Sequence, residues 1–365
     1  MTRSMANFLT LRDIDPLLMG LRQALREAEF DVSELRRMAD TGLAHEHVWI
    51  HRRGGDDRVA RLPKQSQMRL DPQANLDYQA CCFSRAALSG HTPALHAVLP
   101  PSDALPRGGL VVSAIDGRTA RLPHDLPAIA QALANLHRLP LPPAAARPPL
   151  LTPRSPWRAV IEEIRAQASY LTQANISANT HRPIFEELQH LEAWLAEAHP
   201  SPPALISFDA HPGNFLIQND GRAVLVDLEK CRYGLPGLDL AHATLYTSTT
   251  WDIATHAELS VEEVQRFYRH WATAMGDEDR YRDQDAVLQC RRAMWLWSVT
   301  WCAKWRVENH YSRDADVGGE DWSTELSDPT LIAHVRNRVD HYLSPSIVAR
   351  VCAELQCLHQ LDLFD

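Results

Sequence analysis

Cysteine is scarce in this chain: seven residues in 365, an odd number. None forms a C-x-x-C pair; Cys81 and Cys82 are adjacent, and Cys352 and Cys357 sit close together near the C-terminus. This pattern argues against a disulfide scaffold and for reduced thiols, so a cytoplasmic protein is expected. Long apolar runs are also missing. None approaches the roughly 18 residues expected for a membrane span. The opening stretch, MTRSMANFLTLRDIDP, lacks a long apolar core and soon turns acidic, so no signal peptide is expected. Positive charge is in deficit, with a formal net charge of -9 when His is neutral. An acidic chain is a poor partner for nucleic acid or an anionic membrane, and mildly favours a cationic or neutral substrate. There is no G-x-x-x-x-G-K-[ST], which argues against a P-loop kinase. There is no G-x-S-x-G, which argues against a serine hydrolase of that type.

What is present is ordinary for a globular chain: 45% hydrophobic and 23% charged residues. The length suits one large two-lobed unit or two domains. Leucines at helical spacing predict a helix within 9–40. HEHVWIH (45–51) and RVARLP (58–63), joined by RRGGDD, read as a hairpin. A helix is expected over 74–89, a buried strand over 110–117 and a helix over 125–138. A proline-rich connector (139–156) follows, then two helices broken near 175–182. Beyond Val261 the chain reads as mostly helical, with an acidic loop at 313–328. The order predicts an α+β fold: a small strand-rich N-terminal lobe (1–117) and a larger helical lobe (118–365).

The most informative stretch is ALISFDAHPGNFLIQNDGRAVLVDLEKCRYGLPGLDLAHA (204–243). ALIS enters a polar turn at Asp209. FLI and AVLV flank QNDG, a strong hairpin turn, and the returning strand delivers Asp227. Asp209, Asn214 and Asp227 are thus expected at the ends of one short hairpin. Phosphoryl transfer needs such a set. A hard cation wants oxygen ligands, which Asp227 and the Asn214 amide can supply. A further carboxylate, Asp209, can orient an attacking hydroxyl and take its proton. The D-x-x-x-x-N spacing keeps base and metal ligand on one loop.

These blocks, D-A-H-P-G-N-F-L-I, D-G-R-A-V-L-V-D-L-E-K and G-L-P-G-L-D-L-A, closely resemble the aminoglycoside phosphotransferase/choline kinase family, which has the protein-kinase-like fold. The close match covers about 40 residues. The resemblance implies Asp209 as catalytic base, Asn214 and Asp227 as Mg²⁺ ligands, and Asp239 as a brace for the loop. Weaker matches extend it. T-G-L-A-H-E-H-V-W (41–49) resembles the nucleotide-covering loop, with Thr41 and His45 as contacts. R-V-A-R-L-P resembles the strand carrying a phosphate-binding cation, which implies Arg61, with Lys64 as second choice. L-V-V-S-A-I-D-G (110–117) resembles the linker that receives adenine, implying Ser113 and Ile115. Two positions depart from the family pattern. Ser207 stands where histidine is usual, and the helix expected to pair with Arg61 offers Asp77 and Gln79 but no glutamate.

Around this frame, other residues keep two readings. Glu229 either assists the metal or braces the loop; His211 either touches phosphate or holds the loop by a hydrogen bond. Met294, Trp297, Trp301 and Trp305 share one helix face, as core or as an aromatic pocket for a cationic substrate. The expected activity is a kinase that moves the γ-phosphate of ATP or GTP, with Mg²⁺, to a hydroxyl of a small molecule, an amino alcohol, sugar or aminoglycoside-like compound. Aminoglycosides, choline, homoserine, thiamine, methylthioribose and amino sugars are substrates in the family. The alternative is a non-catalytic kinase-fold protein that binds a nucleotide or a partner. No nucleic-acid or membrane partner is expected, and the chain is expected to be a monomer or a homodimer.

Overall fold

The computed structural model describes residues 15–38, 44–197, 201–276, 281, 283–311 and 329–364. They form two compact units. The first holds the described residues up to Ala80 together with Pro93–Ala114; the second holds Cys81–Thr92 and the described residues from Ile115 onward.

In the first unit, helix α1 (Pro16–Glu27) starts at Asp15, whose carboxylate accepts the Leu17 amide at 3.0 Å. Strands β1 (Glu34–Arg37), β2 (His45–His51) and β3 (Arg58–Pro63) are followed by helix α2 (Pro72–Ala86), whose residues from Cys81 belong to the second unit, then β4 (Leu95–Leu99) and β5 (Gly109–Ser113). The sheet runs β1-β2-β3-β5-β4, and every pair is antiparallel. Its core joins Leu21 and Leu25 of α1 to Leu35, Val48, Ile50, Ala60, Leu62 and Val111. The helix expected over 9–40 is shorter than its leucine pattern suggested. Within the described residues it ends at Glu27, Glu29 takes a positive φ of 57°, and residues 34–37 are a strand. Leu35 is buried between exposed neighbours there, a period-two pattern imposed by pairing with β2.

After Cys81–Thr92, the second unit continues with β6 (Arg118–Thr119), α3 (Leu126–His137), α4 (Pro156–Ala168) and α5 (Ala178–Trp194). Four short strands then carry the polar loops: β7 (Ala204–Ile206), β8 (Phe215–Ile217), β9 (Ala223–Leu225) and β10 (Arg232–Gly234). β10 pairs with β7, and β8 lies between β6 and β9. Helices α6 (Pro236–Thr244), α7 (Tyr246–Thr249), α8 (Val261–Met275), α9 (Gln284–Tyr311), α10 (Pro329–Tyr342) and α11 (Pro345–Leu358) complete it. A reciprocal capping box of Ser260 and Glu263 starts α8. The long α9 packs against α4, α5, α6 and α10. Its Met294, Trp295 and Leu296 are fully buried. Among the described residues no helix is long and apolar enough to cross a membrane.

Candidate active site

Asp209 sits on the turn that leaves β7. The preceding residue, Phe208, has φ 59°, a left-handed conformation that costs a non-glycine residue about 1–2 kcal/mol. Three sets of contacts hold it there. The Asp239 carboxylate accepts the Ser207 amide at 2.7 Å and the Phe208 amide at 2.8 Å. The Arg232 guanidinium lies 3.8 Å from the Phe208 ring centre. The Trp297 ring meets Phe208 edge-on, with centroids 5.4 Å apart. One carboxylate ties the last two together: Glu163 of α4 accepts from Arg232 at 2.6 Å and from the Trp297 indole at 3.1 Å.

Asp239 is itself backed by a buried relay. The Trp271 indole N–H donates to His137 Nδ1 at 3.1 Å. An indole can only donate, so the His137 proton belongs on Nε2, which donates to Asp239 Oδ2 at 3.1 Å. Asp239 therefore braces the loop, as the sequence suggested. Ser207, at the position where histidine is usual, is buried, and its hydroxyl accepts the Asp209 amide at 3.1 Å.

Asn214 closes the loop. Its side-chain N–H donates to the Asp209 carbonyl at 2.8 Å, which turns its amide oxygen away as a possible ligand. Its own carbonyl accepts the Val226 amide at 2.9 Å. That bond extends the β8–β9 ladder by one step, from Phe215↔Leu225, and sets Val226, the residue before Asp227, opposite Asn214. Gly221 takes φ 85° at the hairpin tip, and the Leu225 amide donates to the His91 carbonyl. Gly213 is required by close packing: a Cβ there would fall 2.7 Å from Asp252 Oδ2 and 2.9 Å from His211 Cε1.

The Asp209 carboxylate has two different sides. Oδ2 accepts from Lys230 Nζ at 2.9 Å. Oδ1 faces His242 Nδ1 at 3.8 Å, beyond hydrogen-bond reach. The rings of His242 and His211 meet edge-on at 6.0 Å. Burial pushes the Asp209 carboxyl upward, but the charges of Lys230, His211 and His242 outweigh it and hold it below its usual range, against a smaller opposing effect of Asp227. His242 moves the other way from an ordinary histidine. Burial carries it down to about 4, more than Asp209 raises it, so the ring is neutral near neutral pH.

The two carboxylates and one amide oxygen suit Mg²⁺ in number and chemistry. That ion binds few protein oxygens and completes its shell with phosphate and water. Among the described residues no group of three or more His, Cys, Asp or Glu is arranged to hold a metal by itself. Glu229 is buried.

The candidates on the first unit are placed as follows. Arg61 is buried on β3, between His47 of β2 and Leu110 of β5, with Nη1 3.2 Å from His47 Nε2. His45 is buried, and its Nε2 lies 2.9 Å from the Gln79 side-chain oxygen. Gln79 is thus the α2 residue that meets the sheet, whereas Asp77 is exposed and bonded to Gln73. Lys64 donates its backbone amide to the Ala44 carbonyl, and the Ser113 hydroxyl pairs with His96 at 2.9 Å. Ile115, where the chain returns to the second unit, is half-buried. Thr41 and the acidic stretch 313–328 lie outside the described residues.

The tryptophan stripe of α9 separates into distinct roles. Trp297 packs on Phe208, and Trp305 is buried. Trp301 is half-buried and meets Trp251 edge-on at 5.9 Å, while Trp251 stacks on Tyr342. Sequence reasoning did not single out Lys230, His242, Glu163, Arg232 or Trp271, whereas His137 stands in A-L-A-N-L-H-R-L-P (132–140), which resembles the family's helix ending in L-H-x-L. Of those missed, Lys230 carried the only local hint, three residues after Asp227 in the D-L-E-K run.

The profile of the phosphotransferase enzyme family matches residues 39–283. No curated protein matches the chain in sequence. Among solved structures, choline kinase from Cryptosporidium parvum Iowa II superposes with a TM-score of 0.55 at 14% identity, covering 89% of this chain and 92% of that one. A choline/ethanolamine kinase family protein from Mesorhizobium loti gives 0.54 at 18% identity, covering 93% and 99%. A thermostable mutant of aminoglycoside phosphotransferase APH(4)-Ia, in ternary complex with AMP-PNP and hygromycin B, gives 0.55 at 18% identity, covering 89% and 98%. At these identities the likeness shows the fold: α+β, two-lobed and protein-kinase-like.

Proposed function

Because this chain belongs to the phosphotransferase enzyme family, we propose that Asp209 is its catalytic base and that Asn214 and Asp227 hold Mg²⁺. The chain is an ATP-dependent phosphotransferase acting on an alcohol group of a small molecule. The observation that carries the residue reading is the hairpin itself. One ladder sets Asn214 opposite Val226, next in sequence to Asp227, and Asn214 also grips the backbone of Asp209.

The acceptor hydroxyl donates to Asp209 Oδ1, the oxygen that Lys230 leaves open. Its oxygen attacks the γ-phosphorus, the bond from that phosphorus to the β–γ bridging oxygen breaks, and the electron pair leaves with ADP. The hydroxyl proton passes to Asp209. When bound, Mg²⁺ offsets charge on the phosphate oxygens. The protein's part is mostly position and charge. Phosphate is gripped by Arg61, with Lys64 as second choice, and His45 and Thr41 belong to the covering loop. Ser113 and Ile115 serve the nucleotide base; GTP is an alternative to ATP. The acceptor is a small amino alcohol, sugar or aminoglycoside-like molecule. Trp301 beside Trp251 offers aromatic surface to a cationic group, with Trp297, Trp305 and Glu229 as the remaining candidates.

The test is ADP release with ATP and Mg²⁺ across a panel of hydroxylated amines and sugars. Asp209→Asn should lose about 10³-fold in kcat and Asp227→Ala should lose Mg²⁺-dependent turnover. Full activity in Asp209→Asn would overturn the assignment of the base.

A further inference from the structure

The backbone of Asp209 is held at both ends. Its amide donates to the Ser207 hydroxyl, and its carbonyl accepts from Asn214. Neither bond sets the carboxylate plane, because an aspartate side chain still turns about its last torsion. The hydrogen bond that reaches the carboxylate comes from Lys230, 2.9 Å from Oδ2, with both side chains largely buried: 19% of Lys230 and 14% of Asp209 is exposed. Lys230 comes from a different loop, just after β9 and Asp227, so the contact links the base to the segment that carries the proposed metal ligand.

The choice of cation is informative. Only three of the 37 basic residues are lysines: Lys64, Lys230 and Lys304. Elsewhere in the second unit, among the described residues, arginine pairs with carboxylates in Arg232–Glu163, Arg291–Glu354 and Arg292–Glu187, and lysine in the longer Lys304–Glu308 pair at 3.8 Å. An arginine fork matches both oxygens of a carboxylate at once. A lysine ammonium has three N–H donors but no fork matched to a carboxylate, and Lys230 engages Oδ2. At Asp209 that difference leaves Oδ1 open toward the side where His242 stands 3.8 Å away.

We propose that Lys230 is a positioning residue for phosphoryl transfer: it pins Asp209 by Oδ2, so that Oδ1 is presented to the acceptor hydroxyl. Its positive charge also offsets the repulsion between Asp209, Asp227 and the incoming phosphates. The inference rests on Asp209 being the base, and the test separates the two. ADP release is measured with ATP, Mg²⁺ and choline, homoserine or kanamycin as acceptor, and with water alone. Asp209→Asn, Lys230→Met and Lys230→Arg are compared with the native chain, with melting temperature and MgADP affinity as checks on the fold.

Misaiming the base should cost about 100-fold in kcat for Lys230→Met, with the nucleotide KM held within about threefold. Lys230→Arg keeps the charge but engages both oxygens. It should regain at least about tenfold of the lost kcat and raise the acceptor KM. Three results would overturn the role: a kcat for Lys230→Met within about threefold of native, a loss confined to nucleotide KM, or an arginine variant no better than methionine. If Asp209→Asn is as active as the native chain, or the native chain releases no ADP, the reading of the base fails and this inference with it.

Discussion

His137 Nε2 donates to Asp239 Oδ2 at 3.1 Å, and neither side chain has any exposed surface. The pair is 102 residues apart in sequence, yet it sets the turn on which Asp209 sits. Buried charge is tolerated only when its hydrogen bonds are satisfied. Asp239 meets that condition with three donors: His137 and the amides of Ser207 and Phe208.

Replacing Asp239 with asparagine should therefore be costly despite the similar size. An asparagine has one acceptor oxygen and must aim its own N–H at a donor. We expect Asp239→Asn to lose about 3 kcal/mol of stability in urea unfolding. The kcat should fall as well, because the Asp209 turn loses its anchor. An unchanged urea midpoint would show that the brace does not support the loop.

Phe208 offers a case where two effects oppose. Phe208→Gly relieves the positive φ, worth about 1–2 kcal/mol. It also deletes a ring held between Arg232 and Trp297, which should cost about 3–5 kcal/mol. Packing is the larger effect, so the variant should be less stable than the native chain by roughly 2 kcal/mol in thermal or urea unfolding. A variant more stable than the native chain would mean that strain dominates at this turn.

His242 predicts an acid-side weakness. Unfolded, the ring binds a proton below a pH of about 6.5. Folded, burial delays this to about 4. Between those values the unfolded chain holds more protons, so stability falls as pH drops from about 6.5 toward 4. The loss is on the order of 3 kcal/mol over that window. His242→Gln, which has no such proton to bind, should flatten the slope. Unfolding free energies measured at several pH values in that window would check it, and equal slopes for the two proteins would exclude His242 as the cause.

Much of the site was legible because its signals are local. QNDG between two apolar triplets could form little other than a hairpin, and β8 and β9 flank it. Asp209, Asn214 and Asp227 were expected at the ends of that hairpin from its turn and spacing, and their proposed roles came from the family resemblance. Asp239 was also readable as a brace, from its place in G-L-D-L-A. Other parts were not legible in this way. The leucine pattern of α1 runs on in sequence toward a stretch that is strand, because β1 exists only by pairing with β2. β4 was not foreseen either; its alternate residues are exposed, and its partner β5 lies ten residues further on. The tryptophans of α9 share a face by periodicity, but periodicity could not say that Trp297 would lie on Phe208.

By itself the sequence determined the kinase-like blocks and the order of strand-rich and helical parts, and it nominated three oxygen-bearing residues for the site. These depend on turn chemistry and apolar periodicity, which act between near neighbours. Only the tertiary structure decided how Asp209 is aimed and charged. Lys230 reaches it from 21 residues away, His242 from 33, and the Glu163 cage and the His137 relay from still further. Such contacts form when separate helices and loops pack into one dense interior.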